Sequence, residues 1–455
     1  MRSLFGRALA KYRRGFLINH LTDVRSNDLM TRILSGFLAI AGLVNSLFFA
    51  DQASADNWPG WRGPTSNGVA AEGAYPTTWS ATENVEWKVK LDGRGASTPV
   101  VWEDNIILTL GRGGKNVLVS YDRSGKQRWE LEVGTEKAGK HKKASGSNPS
   151  CVTDGKLVFA YFKSGDLVAA DLKGNLKWHH NVQKMFGEDT LWWDLGTSPI
   201  LTKKHVIITV MQTGPSYLAA FDKATGDSAW KVDRNLNAPE EAAQAYSTPI
   251  VEWVGGKERI FVLGADHATA HDAATGNELW RVGGLNPTQH QYFRSISGPV
   301  LAGSLLIAPY ARGGSVTGIR LGGSGDVTSS HVAWTALEVG SDVPTPTFLG
   351  DRVFICRDNG KSKGSLSTLD LKTGKVVDEI LLEKNRNGFS SSPTLGGHHL
   401  YLTREDGTTF VVDVSDKAKV VSKNSLDDEF TVATPVLVDG KILLRTYEHL
   451  YCISK

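Results

Sequence analysis

The segment Ala219-Ala220-Phe221-Asp222-Lys223-Ala224-Thr225-Gly226-Asp227-Ser228-Ala229-Trp230 decides the fold. An apolar run ends in an aspartate, a Thr-Gly turn follows, and a tryptophan stands four residues after the glycine. The text returns as Asp272-Ala273-Ala274-Thr275-Gly276 with Trp280. Looser copies are Asp122, Gly125 and Trp129, and Asp171, Gly174 and Trp178. Asp and Thr side chains cap nearby amides and Gly takes the positive φ of a tight turn, so each copy reads as a hairpin.

Upstream of each hairpin lie two more β-rich runs, such as Pro199-Ile200-Leu201 and His205-Val206-Ile207-Ile208. Runs of four to eight β-branched and aromatic residues bounded by Gly, Asp and Asn are strands. Four per period, with no 3.6-residue pattern between them, predict a four-stranded antiparallel blade. Prolines mark the period. They are Pro99, Pro149, Pro199, Pro249, Pro299, Pro346, Pro393 and Pro435, each behind a small residue. Proline cannot donate to a sheet ladder, so it suits the edge strand facing a central channel. The period is that of repeat architectures.

The expected fold is therefore all-β: an eight-bladed β-propeller of four-stranded antiparallel blades over residues 85–455. The eighth period ends after three strands, whereas Val85-Glu86-Trp87-Lys88-Val89 is an outer strand with no repeat before it. An N-terminal strand completing the last blade closes the ring and removes its open edges. The fifth repeat departs from the pattern, with Gly325 and Trp334 far apart. The sixth and seventh carry Val376-Val377 and Val420-Val421 in place of tryptophan.

Residues 1–55 are read as a signal-peptide region. A basic Met30-Thr31-Arg32, an apolar Ile33 to Ala50 and an Ala53-Ser54-Ala55 cleavage site follow in order, with the true start at Met30. A retained anchor and a twin-arginine signal at Arg13-Arg14 are the competing readings. Residues 56–84 form an N-terminal extension. Without residues 1–55 the chain has 44 Lys and Arg against 45 Asp and Glu, a net charge of −1, and nothing points to nucleic acid. The three cysteines fall on different blades and read as small buried hydrophobes. The expected mature chain is a soluble periplasmic or secreted monomer with no membrane span.

The repeat, with its small-residue-Pro strand and Asp-x-x-Thr-Gly-x-x-x-Trp hairpin, resembles the PQQ-like (quinoprotein alcohol dehydrogenase-like) β-propeller family. That family includes the lipoprotein of outer-membrane barrel assembly. The stretch Trp58-Pro59-Gly60-Trp61-Arg62-Gly63-Pro64 is similar to the opening of many exported members, and its tryptophans are expected to pack on the propeller as a lid or brace. For the dehydrogenases the resemblance implies a quinone held between a tryptophan and two adjacent cysteines, a Ca²⁺ ion, and an aspartate base. This chain has no adjacent cysteines and no Cys-x-x-Cys-His, so no cofactor is expected; PQQ with calcium belongs to the alternative reading.

Segments entering the inner strands emerge on one face, around the channel mouth. There they carry Trp192, Trp193, Asp194, Tyr246, His290, Tyr292, Arg294, Asp342, Arg386 and Phe389, the candidate binding residues. Aromatics mixed with Arg and carboxylates suit recognition. No nucleophile motif, phosphate loop or metal-ligand cluster stands out. The expected function is non-enzymatic: binding or scaffolding of a protein, peptide or polysaccharide through this rim. The alternative is a PQQ-dependent alcohol or sugar dehydrogenase.

Overall fold

The Asp-Gly turns close as their chemistry dictates. Asp222 Oδ1 accepts the amides of Ala224 (2.8 Å) and Thr225 (3.0 Å), while Gly226 sits at φ 80°. A computed structural model describes residues 56–455, so the signal-peptide reading lies outside the described residues. Within them the hairpins build eight sheets, seven of four strands and one of five. Blade one comprises Val100–Trp102, Asn105–Arg112, Lys115–Tyr121 and Gln127–Thr135, and the next six follow in chain order. In blade eight, Val436–Val438, Lys441–Arg445 and His449–Ile453 are completed by Val85–Lys90, antiparallel to the last of them. The chain is an eight-bladed β-propeller closed by its N-terminal strand.

Tryptophans seal neighbouring blades. Trp87, Trp129, Trp178 and Trp334 each donate an indole N–H, at 2.8 to 2.9 Å, to a carbonyl in the next blade's hairpin turn. The turn glycine lies under the ring: a Cβ at Gly125, Gly174, Gly226 or Gly374 would fall within 3 Å of indole atoms. Trp334 keeps this role in blade five despite its altered spacing. The intervening loop sends Gly325–Asp326 back to pair in parallel with Trp280 and Arg281, adding the fifth strand of blade four. Without a tryptophan, Val376 and Val377 are exposed.

Around the axis, hydroxyls form a second seal. The backbone N–H of Thr98 donates to Ser150 Oγ, Ser150 to Ser198, and Ser198 to Thr248. On the other side Gly298 donates to Thr345, Thr345 to Ser392, Ser392 to Thr434, and Thr434 back to Thr98. Only the step from Thr248 to Gly298 lacks a side-chain acceptor, because glycine has none. This ring corrects one expectation. Seven of the prolines directly follow a ring residue, but in blade two that place belongs to Cys151, because Val152 pairs with Phe159 as Val100 does with Ile107. Pro149 lies two residues early and does not mark the inner strand.

The N-terminal extension closes the far end of the channel. Trp58 is fully buried and exchanges two 2.8 Å backbone bonds with Val101. Arg62, also buried, donates to the carbonyls of Pro393 (2.8 Å), Pro346 (2.9 Å) and Asn67 (3.0 Å). Burial among carbonyls, with no carboxylate partner among the described residues, lowers its pKa to about 9. The Trp58–Pro64 stretch is thus a plug across the inner strands, as the sequence reading expected of its tryptophans.

Candidate functional site

The inner strands start at the channel mouth, so two sets of loops converge there: those entering each blade and those joining its second and third strands. Between them lies a cavity of about 610 Å³. Trp61 of the plug lies at its floor, where it also borders a smaller cavity of about 180 Å³ at the far end. Thr98, Ser150, Ser198, Thr248 and Thr434 of the hydroxyl ring girdle it.

Seven of the ten expected rim residues line this funnel: Trp193, Asp194, Tyr246, Arg294, Asp342, Arg386 and Phe389. Trp192, His290 and Tyr292 do not. They stand outside it, with Trp192 and Tyr292 exposed and the His290 ring stacked on Phe293 at 4.3 Å.

Trp193 is held rigidly although it is half exposed. Its indole N–H donates to Glu241 Oε1 (2.8 Å), its backbone N–H donates to the Tyr246 hydroxyl (3.2 Å), and His141 meets its ring edge-on. The buried Tyr246 hydroxyl donates in turn to Gln244 (2.7 Å). Asp194 is spent on structure. It pairs with the buried Lys163 and accepts the amides of Lys140 and His141, tying down the loop between blades one and two. Burial raises its pKa, but Lys163 and these amides outweigh burial and hold it below the usual value. Phe389 is buried against Phe410.

Arg294 forms a bidentate pair with Asp342 (2.8 and 3.0 Å). Asp342 donates its own amide to Asp358, which also accepts from Val343 (2.9 Å). Burial first, and the nearby Asp342 charge second, push the Asp358 carboxyl up to about 7. On another wall Lys143 pairs with Glu405 (2.6 Å), which also accepts from the Ser390 hydroxyl. Lys143 leaves the loop between blades one and two, whereas Glu405 belongs to blade seven, so this pair spans the mouth past blade eight.

Arg312, Asp358, Asn359, Lys363 and Glu405 were absent from the expected set. All lie on turns between second and third strands, which open on the same face. The alternation of strand direction carried that signal.

The quinone set implied for the dehydrogenases does not fit these residues. Cys151, Cys356 and Cys452 are free and buried in three separate blades, and burial pushes the thiols of Cys151 and Cys452 up to about 12. Among the described residues no group of three or more His, Cys, Asp or Glu is placed to hold a metal ion. Asp194, Asp342, Asp358 and Glu405 are engaged by cations or backbone amides.

The architecture and this plugged funnel define a PQQ-like β-propeller. The chain belongs to the family described as outer membrane protein assembly factor BamB (PQQ_2), whose model matches residues 68–236 and 193–423. Among solved structures it is similar to BamB from Moraxella catarrhalis, at 16% identity over 81% of this chain and 96% of that one, with a TM-score of 0.57. A europium-containing methanol dehydrogenase matches at 11% identity over 88% and 90%, with a TM-score of 0.66. The quinohemoprotein alcohol dehydrogenase of Comamonas testosteroni matches at 13% over 89% and 82%, with a TM-score of 0.65. At these identities the likeness is one of fold. Comparison with curated protein sequences returns no match.

Proposed function

We propose that this chain is a non-enzymatic, exported binding propeller that takes a segment of a protein, peptide or polysaccharide at its channel mouth. The observation that carries this reading is the commitment of the funnel's carboxylates. A general base or a calcium ligand needs free oxygen lone pairs. Here three of the four are spent on cations: Asp342 on Arg294, Glu405 on Lys143 and Asp194 on Lys163; only Asp358, held by two backbone amides, has no cation partner. Such pairs hold a rigid, polar, aromatic-edged mouth, the kind of surface that recognises rather than transforms.

The family's description as an outer membrane assembly factor supports a role in the cell envelope. Export rests on the Ala53-Ser54-Ala55 site behind an apolar stretch. Among the described residues no helix is long and apolar enough to cross a membrane.

Titration of the purified chain with PQQ and Ca²⁺, followed by absorbance and by dye-linked oxidation of alcohols and sugars, tests the reading. No saturable quinone binding is expected. Saturable binding with turnover would overturn the proposal in favour of a dehydrogenase.

A further inference from the structure

The funnel's charges do not cancel. Its lining holds Lys143, Arg294, Arg312, Lys363 and Arg386 against Asp194, Asp342, Asp358 and Glu405. Lys143 and Glu405 neutralise each other, Asp194 is matched by Lys163 from outside the lining, and Arg294 is shared between Asp342 and, at 3.5 Å, Glu241 behind the lining. Asp358, titrating near 7, carries only part of a charge at neutral pH. Arg312, Lys363 and Arg386 remain. Of these, Arg312 shares Asp342 with Arg294 through a long 3.8 Å pair, whereas among the described residues Lys363 and Arg386 have no carboxylate at ion-pair distance.

These three cations are neighbours on one wall. Lys363 donates to the Arg386 carbonyl (2.7 Å), and Asn359, on the same turn as Lys363, donates to the Arg312 carbonyl. Arg312 is held at the mouth by a turn in which Ala311 (φ 54°) and Arg312 (φ 51°) are both left-handed. Two consecutive non-glycine residues in that region store strain, and such strain concentrates at ligand-binding sites. The same cavity presents the tethered Trp193 ring, 47% exposed. A ring fixed through its N–H offers a flat apolar surface with little entropy left to lose on binding.

We infer that the funnel receives an acidic polysaccharide, with a sugar ring stacked on Trp193 and its carboxylate or sulfate groups on Arg312, Lys363 and Arg386. This rests on the proposed binding function and names its ligand class. A cavity of about 610 Å³ admits a chain end or short segment but not a folded domain. The apolar C–H face of a pyranose matches a presented indole, and the acidic groups further along such a chain match the cations on the wall of blades five to seven.

Calorimetric titration of the purified chain with a galacturonate oligomer tests this inference. The comparison probes are a neutral galactan oligomer of equal length and a polyglutamate peptide of equal charge. The acidic oligomer is expected to bind and the neutral one not to. Arg386→Gln, Lys363→Gln and Trp193→Ala should each weaken binding about tenfold, the loss expected for one charge-assisted contact or one stacked ring. Added salt should weaken it further, because the cations are partly exposed. Trp253→Ser, away from the funnel, should leave binding unchanged. Equal binding of the neutral oligomer would overturn the charge assignment, and tighter polyglutamate binding that ignores Trp193→Ala would overturn the saccharide class; both leave the funnel reading standing. Acidic-oligomer binding untouched by all three funnel substitutions would overturn the funnel reading itself. Failure of every probe to bind would overturn the inferred ligand class.

Discussion

Trp87 lies over Gly125. The strand that begins the propeller thereby covers the first hairpin turn of blade one, and its indole N–H donates to Arg123 O at 2.8 Å. Trp87 also pairs across to Cys452 in the last strand, so one residue joins both ends of the described fold. Arg445 makes the same junction deeper in, donating from blade eight to Ser97 O and Thr109 O.

Trp87→Ala should therefore destabilise the whole ring. Because the side chain is half-buried, the expected cost is about 2–4 kcal/mol, somewhat below that of a fully buried ring. Gly125→Ala should mimic it in part, since φ 83° and ring atoms at 2.9 Å leave no room for a Cβ. Thermal unfolding should show both variants losing stability as one transition, whereas Gly113→Ala, at positive φ but with open space around it, should lose much less.

The hydroxyl ring gives a second expectation. Thr345→Val keeps the side chain's shape but leaves the buried Gly298 amide without its acceptor. A buried amide left unpaired costs about 1–3 kcal/mol. Denaturant melts should show Thr345→Val and Thr98→Val each less stable than wild type, with unchanged m-values.

Asp358 makes stability pH-dependent in a definite direction. Its folded pKa, about 7, is above the ordinary 3.8, so the folded state holds the proton more tightly. Its contribution is fully present below pH 3.8 and is lost as pH rises to about 7. The difference in unfolding free energy between wild type and Asp358→Asn should shift against wild type over that window, by a few kcal/mol at most. Urea melts at several pH values measure it; a difference that is flat with pH would contradict the assignment.

The plug predicts a local effect. Trp61→Ala should enlarge the funnel floor with little loss of stability, because Trp61 is only partly buried. Arg62→Ala should destabilise by about 2–4 kcal/mol, since the carbonyls of Pro393 and Pro346 lose their donor inside the fold. Melting temperatures of the two variants separate floor from brace.

The blade was legible because its signals are local: Asp222 to Trp230 carries a turn, its cap and its seal within nine residues. Ring closure was legible because Trp87 was an outer strand lacking its own repeat. Pro149 misled because even spacing cannot reveal a two-residue slip that only the Val152–Phe159 pairing exposes. The hydroxyl ring joins residues 42 to 52 positions apart in sequence, and its closing step joins Thr434 to Thr98, so it appears only in three dimensions. One set of the funnel's loops was not legible in the segments entering the blades, because Arg312, Asp358, Lys363 and Glu405 reach the same mouth from the turns between second and third strands.

The most direct test compares two faces of one molecule. Envelope material is passed over the immobilised chain, and protein and glycan retention are measured for wild type, Trp193→Ala, Arg294→Ala and Arg386→Gln at the mouth. Val377→Ser on the outer edge of blade six serves as the comparison. A ligand site at the mouth requires that the three mouth variants lose retention while Val377→Ser keeps it. Full retention by the mouth variants, with loss in Val377→Ser, would contradict it.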